Sequence, residues 1–309
     1  MRAGQERRTR GDMMSAGTSH FISAPDGLRL HARVWGAQDG RATPVVCLPG
    51  LTRNGDDFIP LAQRLAQQGA EGAGAGAPRC VIALDYRGRG LSEHDSDWRN
   101  YDLRVENADI LACLAALGVG EAVIVGTSRG GLHAMLFSAT RPTLLRGVVL
   151  NDIGPVIEAQ GLARIRTYVG KLPAPASIEE AMDLLRTAMG GGFPALSPQD
   201  WRAYAQATFA PGADGRLALR YDPALMRTLE GLDLDAPLPD AWPQFEGLAH
   251  VPVLAIRGST SDLLSQATLE GMQARHPRCA VHVVEGQGHA PLLRDAPTLA
   301  RICDFIAPL

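Results

Sequence analysis

The sequence predicts an α/β protein whose mostly parallel sheet is flanked by helices and interrupted by a helical insertion. Short apolar runs alternate with longer amphipathic segments from residue 28 to residue 150, a pattern typical of a parallel sheet with helices on both faces. Helical spacing punctuated by prolines replaces this alternation after residue 152, and the alternation resumes at residue 251. We therefore predict a core formed by residues 21–152 and 248–309, with a helical cap over residues 153–247.

The predicted strands follow one another along the chain, and most of them end at a turn signal. The first, residues 28–35, alternates apolar and polar side chains after a Pro-Asp-Gly turn, as a half-buried strand does. The later ones are short apolar runs without strict alternation, which fits central strands that are buried on both faces. They comprise residues 44–48, 80–84, 122–125, 148–150, 251–256 and 281–284.

The predicted helices are assigned from apolar residues that recur at helical spacing. In the core they comprise residues 58–66, 103–117, 130–138 and 296–306, and in the insertion residues 162–169, 178–189 and 224–232. The Gly/Ala-rich stretch 72–76 is predicted to be a flexible loop. It is not assigned as a phosphate loop, because no Lys-Ser or Lys-Thr follows it.

Composition excludes several classes of protein. The net charge of −3 over 309 residues gives no electrostatic basis for binding nucleic acid or an anionic membrane. The five cysteines are scattered, without a Cys-x-x-Cys pair or a Cys/His cluster, so the sequence indicates neither a metal site nor a disulfide framework. The Arg-rich residues 1–20 lack the apolar stretch of a signal peptide. We expect them to form a disordered tail on a cytoplasmic protein.

Ser128 is the predicted nucleophile. It is the centre of the one Gly-x-Ser-x-Gly motif in the chain, GTSRG at residues 126–130, where a predicted strand ends and a predicted helix begins. A nucleophile elbow needs this context, because its turn is so tight that a Cβ at either glycine would collide with neighbouring backbone. The helix that follows directs its positive end at a developing oxyanion. An idle serine in a glycine-rich turn is the alternative interpretation.

A serine nucleophile needs a general base and a carboxylate that orients the base. Of the eight histidines, only His289 lies in a loop of small residues after the last predicted strand, where it can reach the carboxyl edge of the sheet. Asp262 and Asp152 both follow predicted strands. We prefer Asp262 as the acid, because its loop has a length suited to a reaching carboxylate. Asp152 is the alternative acid, or else a hinge or cap residue.

Two backbone N–H groups are candidate donors to an oxyanion. Leu51 follows Gly50 at the end of an early predicted strand, and Arg129 follows the nucleophile. The glycine lets the backbone come close to a substrate. A plain surface turn is the alternative interpretation of Gly50 and Leu51.

These residues resemble the α/β-hydrolase superfamily, in its lid-bearing group of small esterases, lactonases and carbon–carbon bond hydrolases. The resemblance runs from about residue 21 to residue 309 and includes LPG at 48–50, DYRGRGLS at 85–92, the elbow, Asp262 and His289, in the order Ser–Asp–His. It implies an eight-stranded sheet with a cap, a small-molecule substrate and no cofactor, in a monomer or homodimer. Serine at the elbow, where an aspartate would form an alkyl-enzyme ester, argues against the related haloalkane dehalogenases and epoxide hydrolases.

The candidate substrate-binding residues are Arg53, Arg129, Tyr168 and Trp201. An arginine after the nucleophile, with Arg53 nearby, could hold a substrate carboxylate. Alternatively, Arg129 forms a salt bridge with a cap or hinge carboxylate such as Asp152. Tyr168 and Trp201 belong to a set of cap aromatic residues that would supply apolar pocket walls, although each also suits the core of the cap itself.

The predicted reaction is hydrolysis of a small carboxylic ester, thioester or lactone through an acyl-enzyme on Ser128. A hydrolase of carbon–carbon bonds in meta-cleavage products, or an acyltransferase, would use the same three side chains. A ligand-binding homologue without turnover is the alternative from another class. The sequence specifies neither the acyl group nor the oligomeric state.

Overall fold

The computed structural model describes residues 16–67, 77–236 and 238–309. Residues 1–15 of the expected tail and the expected loop 72–76 lie outside this described part. The prediction that residues 1–20 form a disordered tail is wrong for residues 18–20, because Thr18–Ser23 forms a strand that pairs antiparallel with Arg29–Trp35.

Eight of the ten strands in the described part form one sheet, which confirms the predicted eight-stranded, mostly parallel architecture. Its spatial order is β1-β2-β4-β3-β5-β6-β9-β10. β1 and β2 pair antiparallel, as do β2 and β4, and every other neighbouring pair is parallel. The strands are β1 (Thr18–Ser23), β2 (Arg29–Trp35), β3 (Val45–Leu48), β4 (Val81–Asp85), β5 (Ala122–Thr127), β6 (Leu145–Asn151), β9 (Val253–Gly258) and β10 (Cys279–Val284).

Helices cover both faces of this sheet because its central strands are apolar on both sides. Val45 and Cys47 of β3 pack into one core, whereas Val46 and Leu48 pack into the other, as the two-residue period of a strand requires. In chain order the helices are α1 (Ile59–Ala66), α2 (Leu103–Ala116), α3 (Arg129–Thr140), α4 (Ala159–Tyr168), α5 (Ile178–Met189), α6 (Pro198–Thr208), α7 (Arg227–Glu230), α8 (Trp242–Glu246), α9 (Gln266–Arg275) and α10 (Ala296–Ile306). α1 and α10 pack on the face of Val45, and α2, α3 and α9 on the opposite face.

The chain between β6 and β9 carries helices α4 to α8, which we call the helical insertion (residues 153–247). It has a small core of its own around Leu185, Phe193 and Trp201. The expectation of helices alone is wrong for one part of it, because β7 (Phe209–Pro211) and β8 (Leu217–Leu219) form an antiparallel hairpin. The GADG sequence at 212–215 supplies the turn, with Gly215 at φ +80°.

The described residues lack a membrane-spanning helix, a group of metal ligands and a disulfide. The helices there are too short or too polar to cross a membrane. No three His, Cys, Asp or Glu side chains are grouped so that they could hold a metal ion. All five cysteines are free thiols.

Candidate active site

Ser128 occupies a strained turn between β5 and α3. Its φ is +50° and its ψ is −113°, a region that costs a non-glycine residue roughly 1–3 kcal/mol and that persists only where the surroundings impose it. A Cβ on Gly126 would lie 2.5 Å from backbone atoms of Gly130, and a Cβ on Gly130 would lie 2.0 Å from the carbonyl oxygen of Leu48. Glycine at both positions therefore lets the turn close this tightly.

His289 connects this serine to a buried carboxylate. Its Nε2 lies 2.9 Å from the Ser128 Oγ, and its Nδ1 lies 2.8 Å from Oδ2 of Asp152. Asp152 is fully buried, and His289 is 8% exposed. A carboxylate on Nδ1 fixes the tautomer in which Nε2 is unprotonated, so Nε2 can accept the hydroxyl proton of the serine.

Four further hydrogen bonds hold the Asp152 carboxylate and its neighbour Asn151 in place. The N–H of Gly258 donates to Oδ1 at 2.8 Å, and the Ser261 hydroxyl donates to Oδ2 at 2.6 Å. The adjacent Asn151 accepts the N–H of Ser128 on its backbone carbonyl at 2.9 Å. Its side-chain amide donates to the carbonyl of Pro291, in the loop that carries the histidine, at 2.9 Å. The end of β6 thus fixes the relative positions of serine, histidine and acid.

The expectation that Asp262 orients His289 is corrected by this geometry. The Asp262 carboxylate instead forms a bidentate pair with Arg164 of α4, at 2.5 and 2.9 Å. Burial alone would raise the pKa of Asp262, but the Arg164 guanidinium lowers it below its ordinary value. Asp152 follows β6, the immediate neighbour of β5, and its carboxylate faces His289, whereas Asp262 follows β9 and its carboxylate faces α4.

The two expected oxyanion donors lie beside the serine. Leu51, Ser128 and His289 line one small cavity, and Gly50 approaches so closely that a Cβ there would lie 3.8 Å from the Cβ of Ser128. Arg129 is the first residue of α3, so its N–H is one of the unsatisfied amides at a helix start. The arrangement brings two backbone donors to the edge of the sheet that bears the nucleophile.

The helical insertion contributes part of the wall of this cavity, whose volume is ≈ 60 Å³. The insertion contributes Ile165 and Tyr168 of α4, Val169, and Tyr204 of α6. Burial raises the pKa of both tyrosine hydroxyls, which keeps them neutral. Apart from Arg53 and His289, the residues of the walls are therefore uncharged.

Of the expected substrate-binding residues, Tyr168 and Arg53 line the cavity. Arg53 also lines a neighbouring cavity of ≈ 50 Å³. Its guanidinium is bound to Asp57 at 2.8 and 2.5 Å and lies 3.9 Å from the centre of the Tyr204 ring. A substrate carboxylate would therefore share this arginine with Asp57.

The other two candidates, Trp201 and Arg129, have different surroundings. Trp201 is 4% exposed and packs against Phe193 in the core of the insertion, and it is absent from the walls of the catalytic cavity. The cavity residue that sequence reasoning missed is Tyr204, three positions further along α6. Because the face of α6 that points toward the sheet depends on tertiary packing, sequence periodicity could not separate these two aromatic residues.

Arg129 forms a salt bridge, but not with the expected Asp152. Its Nε donates to Oε2 of Glu106 at 2.6 Å, and its Nη2 donates to the carbonyl of Tyr101 at 2.9 Å. The guanidinium is thus anchored by Glu106 of α2 and by Tyr101 rather than by Asp152. Glu106, which no sequence motif distinguishes, is the second functional candidate that only the structure shows.

Comparison with known proteins gives consistent relatives. The model of the alpha/beta hydrolase family matches residues 45–301. The chain is 32% identical over 284 residues to a 3-hydroxybutyrate-oligomer hydrolase of Cupriavidus necator, covering 90% of this chain and 92% of that protein. It is 29% identical over 273 residues to a 2-(acetamidomethylene)succinate hydrolase of Mesorhizobium japonicum, covering 88% and 90%.

Solved structures agree with these sequence relatives. A crystal structure of an alpha/beta hydrolase from Novosphingobium aromaticivorans superposes with a TM-score of 0.85 at 35% identity, covering 95% of this chain and 99% of that one. The structure of an E-2-(acetamidomethylene)succinate hydrolase superposes with a TM-score of 0.76 at 28% identity, covering 94% and 99%.

Proposed function

The chain belongs to the alpha/beta hydrolase family, and we propose that it hydrolyses a small carboxylic ester, thioester or lactone through an acyl-enzyme on Ser128. The observation that carries this proposal is the continuous chain of contacts from Asp152 through His289 to the Ser128 hydroxyl, at 2.8 and 2.9 Å. These distances lie within the range over which a base removes a proton from a nucleophile.

In the first half of the reaction, Ser128 Oγ attacks the carbonyl carbon while Nε2 of His289 takes the hydroxyl proton. The carbonyl electrons move onto oxygen, where the N–H groups of Leu51 and Arg129 donate hydrogen bonds to the oxyanion. Collapse of this intermediate breaks the bond to the leaving group, which leaves with the proton from His289. In the second half, water attacks the acyl-enzyme with the same base and restores Ser128.

The Asp152 carboxylate acts on the histidine rather than on the substrate. It holds the imidazole in the productive tautomer and stabilises the positive charge that forms when Nε2 is protonated. Because the hydrogen bonds from Gly258 and Ser261 fix this carboxylate, it needs little rearrangement as that charge develops.

The dimensions of the site favour a short acyl group. The cavity of ≈ 60 Å³ beside the serine is lined by Ile165 and Tyr168 of α4 and by Tyr204 of α6. We propose that the insertion acts as a cap that sets acyl-chain length and excludes water. Two of the relatives act, by their names, on a hydroxy-acid oligomer and on a succinate derivative, which supports small acids as the product class.

A substrate panel with two chain variants tests this proposal. We expect p-nitrophenyl acetate and butyrate to be hydrolysed faster than p-nitrophenyl octanoate, with a thioester, a lactone and a 3-hydroxybutyrate dimer completing the panel. Ser128→Ala should abolish turnover and labelling by a fluorophosphonate. Turnover that survives Ser128→Ala, or labelling at another serine only, would refute it. Release of a carboxylic acid and a shorter dienoate from a meta-cleavage dienoate, without hydrolysis of any ester, would assign carbon–carbon cleavage instead.

A further inference from the structure

A buried ion cluster connects the two oxyanion donors of the proposed site. We infer that Glu106 is a positioning residue: through Arg89 and Arg129 it holds the Leu51 and Arg129 N–H groups at the geometry that stabilises the oxyanion. This inference rests on the proposed function, since the oxyanion belongs to that reaction. Two sets of contacts carry it, one on each side of the carboxylate.

Glu106 lies on α2 with its carboxylate between the two arginines. Oε1 accepts from Nη1 of Arg89 at 2.7 Å, and Oε2 accepts from Nε of Arg129 at 2.6 Å. Glu106 and Arg89 have no solvent exposure, and the Arg129 side chain is 13% exposed. Hydrogen bonds between ions in such a place are short and strong, and the loss of one partner leaves an uncompensated buried charge.

On one side, the cluster holds the loop that carries Leu51. Nε of Arg89 donates to the Leu51 carbonyl at 2.8 Å. The two preceding carbonyls are also engaged: Pro49 accepts from the Tyr86 hydroxyl at 3.2 Å, and Gly50 accepts from the Arg53 N–H at 3.1 Å. The Leu51 N–H shares a planar peptide unit with the Gly50 carbonyl, and the Leu51 carbonyl belongs to the next unit. Contacts to both carbonyls therefore restrain the direction of the Leu51 N–H.

On the other side, the cluster holds the first turn of α3. The Arg129 guanidinium is anchored by Glu106 and by the Tyr101 carbonyl, at 2.6 and 2.9 Å. Its backbone N–H follows the strained Ser128. A side chain anchored at its far end restrains the backbone from which it projects, so these contacts also restrain the Arg129 N–H.

Electrostatics act in the same direction. Two guanidiniums and one carboxylate leave one net positive charge, because burial lowers the pKa of the adjacent His133 and keeps it neutral. Burial alone would raise the pKa of Glu106, but the charges of Arg129 and Arg89 lower it far below its ordinary value, so the carboxylate stays ionised. A positive cluster beside the two oxyanion donors favours the negative charge that develops on the substrate oxygen.

Asp109 provides a matched control on the same helix. It is also a buried carboxylate, 2% exposed, and it forms a bidentate pair with a buried arginine, Arg87, at 2.7 and 2.8 Å. Its arginine contacts Asp26 and Asp95 rather than the Leu51 loop. Asp109→Asn therefore reproduces the loss of a buried ion pair without touching either oxyanion donor.

The experiment compares Glu106→Gln with Asp109→Asn in the full chain. For Glu106→Gln we expect kcat for a short ester to fall about 10- to 100-fold, with KM changed less than about threefold, because only transition-state contacts weaken. The inhibition constant of a trifluoromethyl ketone, which forms a tetrahedral oxyanion adduct, should rise in parallel. Asp109→Asn should lower Tm while leaving kcat and the inhibition constant near wild type.

Hydrogen exchange supplies a readout that needs no turnover. In Glu106→Gln, the amides of residues 50–53 should exchange faster than in Asp109→Asn. If Glu106→Gln does not fold, Arg89→Lys, which keeps the charge but loses the fork that reaches the Leu51 carbonyl, replaces it. Unchanged kcat and exchange in an active background overturn the inference, as do equal losses in both variants. An inactive wild type with faster exchange in Glu106→Gln refutes the proposed function alone.

Discussion

The carboxylate of Asp152 and the imidazole of His289 are joined by a hydrogen bond of 2.8 Å, although 137 residues separate them along the chain. The same carboxylate also accepts from the N–H of Gly258, the last residue of β9, and from the hydroxyl of Ser261 in the loop that follows. The loop after β9 thus contributes to the site by holding the acid, whereas its own carboxylate, Asp262, pairs with the helical insertion. This division of roles separates the two aspartates experimentally.

Asp152→Asn should lower kcat by about 10³- to 10⁴-fold, because the amide cannot stabilise the imidazolium and favours the wrong histidine tautomer. Asp262→Asn, which removes only the pairing with Arg164, should lower kcat less than about tenfold. Steady-state hydrolysis of a short ester measures both, with circular dichroism as the check that each variant is folded. A larger loss in Asp262→Asn than in Asp152→Asn would return the acid role to Asp262.

The sequence predicted more of the site than of its surroundings, for physical reasons that differ between residues. Ser128 and His289 were found because each lies at a strand end in a local motif that needs no knowledge of strand order. The choice between Asp152 and Asp262 depends on which carboxylate faces His289 and which faces Arg164, and local sequence patterns do not specify these tertiary contacts. Glu106 could not be predicted at all, because a buried glutamate in a helix has no distinguishing pattern until its arginine partners are seen in space.

Two aromatic residues of the insertion should respond differently to truncation. Trp201→Ala should destabilise the insertion by about 3–5 kcal/mol, because it leaves a cavity in the core beside Phe193. Tyr168→Ala should instead enlarge the catalytic cavity, which it lines, and shift the preferred ester toward longer acyl chains. Chemical denaturation and acyl-chain profiles measure the two effects. A longer-chain preference in a fully folded Trp201→Ala, with none in Tyr168→Ala, would contradict this assignment.

A second set of Ser–His–Asp contacts lies at the edge of the sheet. His31 Nε2 lies 2.9 Å from the Ser19 Oγ, and its Nδ1 lies 2.8 Å from Oδ2 of Asp85. Ser19 is exposed on an edge strand, so water surrounds it where the proposed reaction needs an enclosed site with oxyanion donors. We expect Ser19→Ala to leave ester hydrolysis unchanged.

The buried His31–Asp85 pair of this second set of contacts should instead contribute to stability. His31→Ala should cost about 1–3 kcal/mol of unfolding free energy, because the Asp85 carboxylate, which also accepts from the Gly55 and Leu91 N–H groups, loses a buried partner. Mass spectrometry after fluorophosphonate treatment distinguishes the two serines. A label on Ser19 in Ser128→Ala would show that Ser19 is reactive.

Buried histidines should make the protein less stable in mild acid. Burial lowers the pKa of His133, outweighing the adjacent Glu106, and likewise lowers the pKa of His276. The Nδ1 of His276 accepts the Arg278 N–H at 3.1 Å, a contact that protonation would break. Because histidines in the unfolded chain titrate near about 6.5, the unfolded state binds more protons below that pH, and the free energy of unfolding falls as pH decreases.

Urea unfolding between about pH 7.5 and about pH 5.5 measures this slope. His276→Gln should reduce the pH dependence, since it removes one of the groups whose pKa differs between the folded and unfolded states. His94→Gln is the control, because the His94 side chain is 57% exposed. Equal slopes in wild type and His276→Gln would assign the acid sensitivity to other groups.

The glycines of the nucleophile elbow should be irreplaceable, unlike others in this glycine-rich chain. A Cβ on Gly130 would lie 2.0 Å from the Leu48 carbonyl oxygen, which belongs to a central strand that cannot yield. Gly130→Ala should therefore cost more than about 4 kcal/mol or prevent folding. Gly191→Ala, whose Cβ would meet nothing within 4 Å, should change stability by less than about 1 kcal/mol. A soluble Gly130→Ala with wild-type Tm and kcat would mean that the turn does not have this geometry.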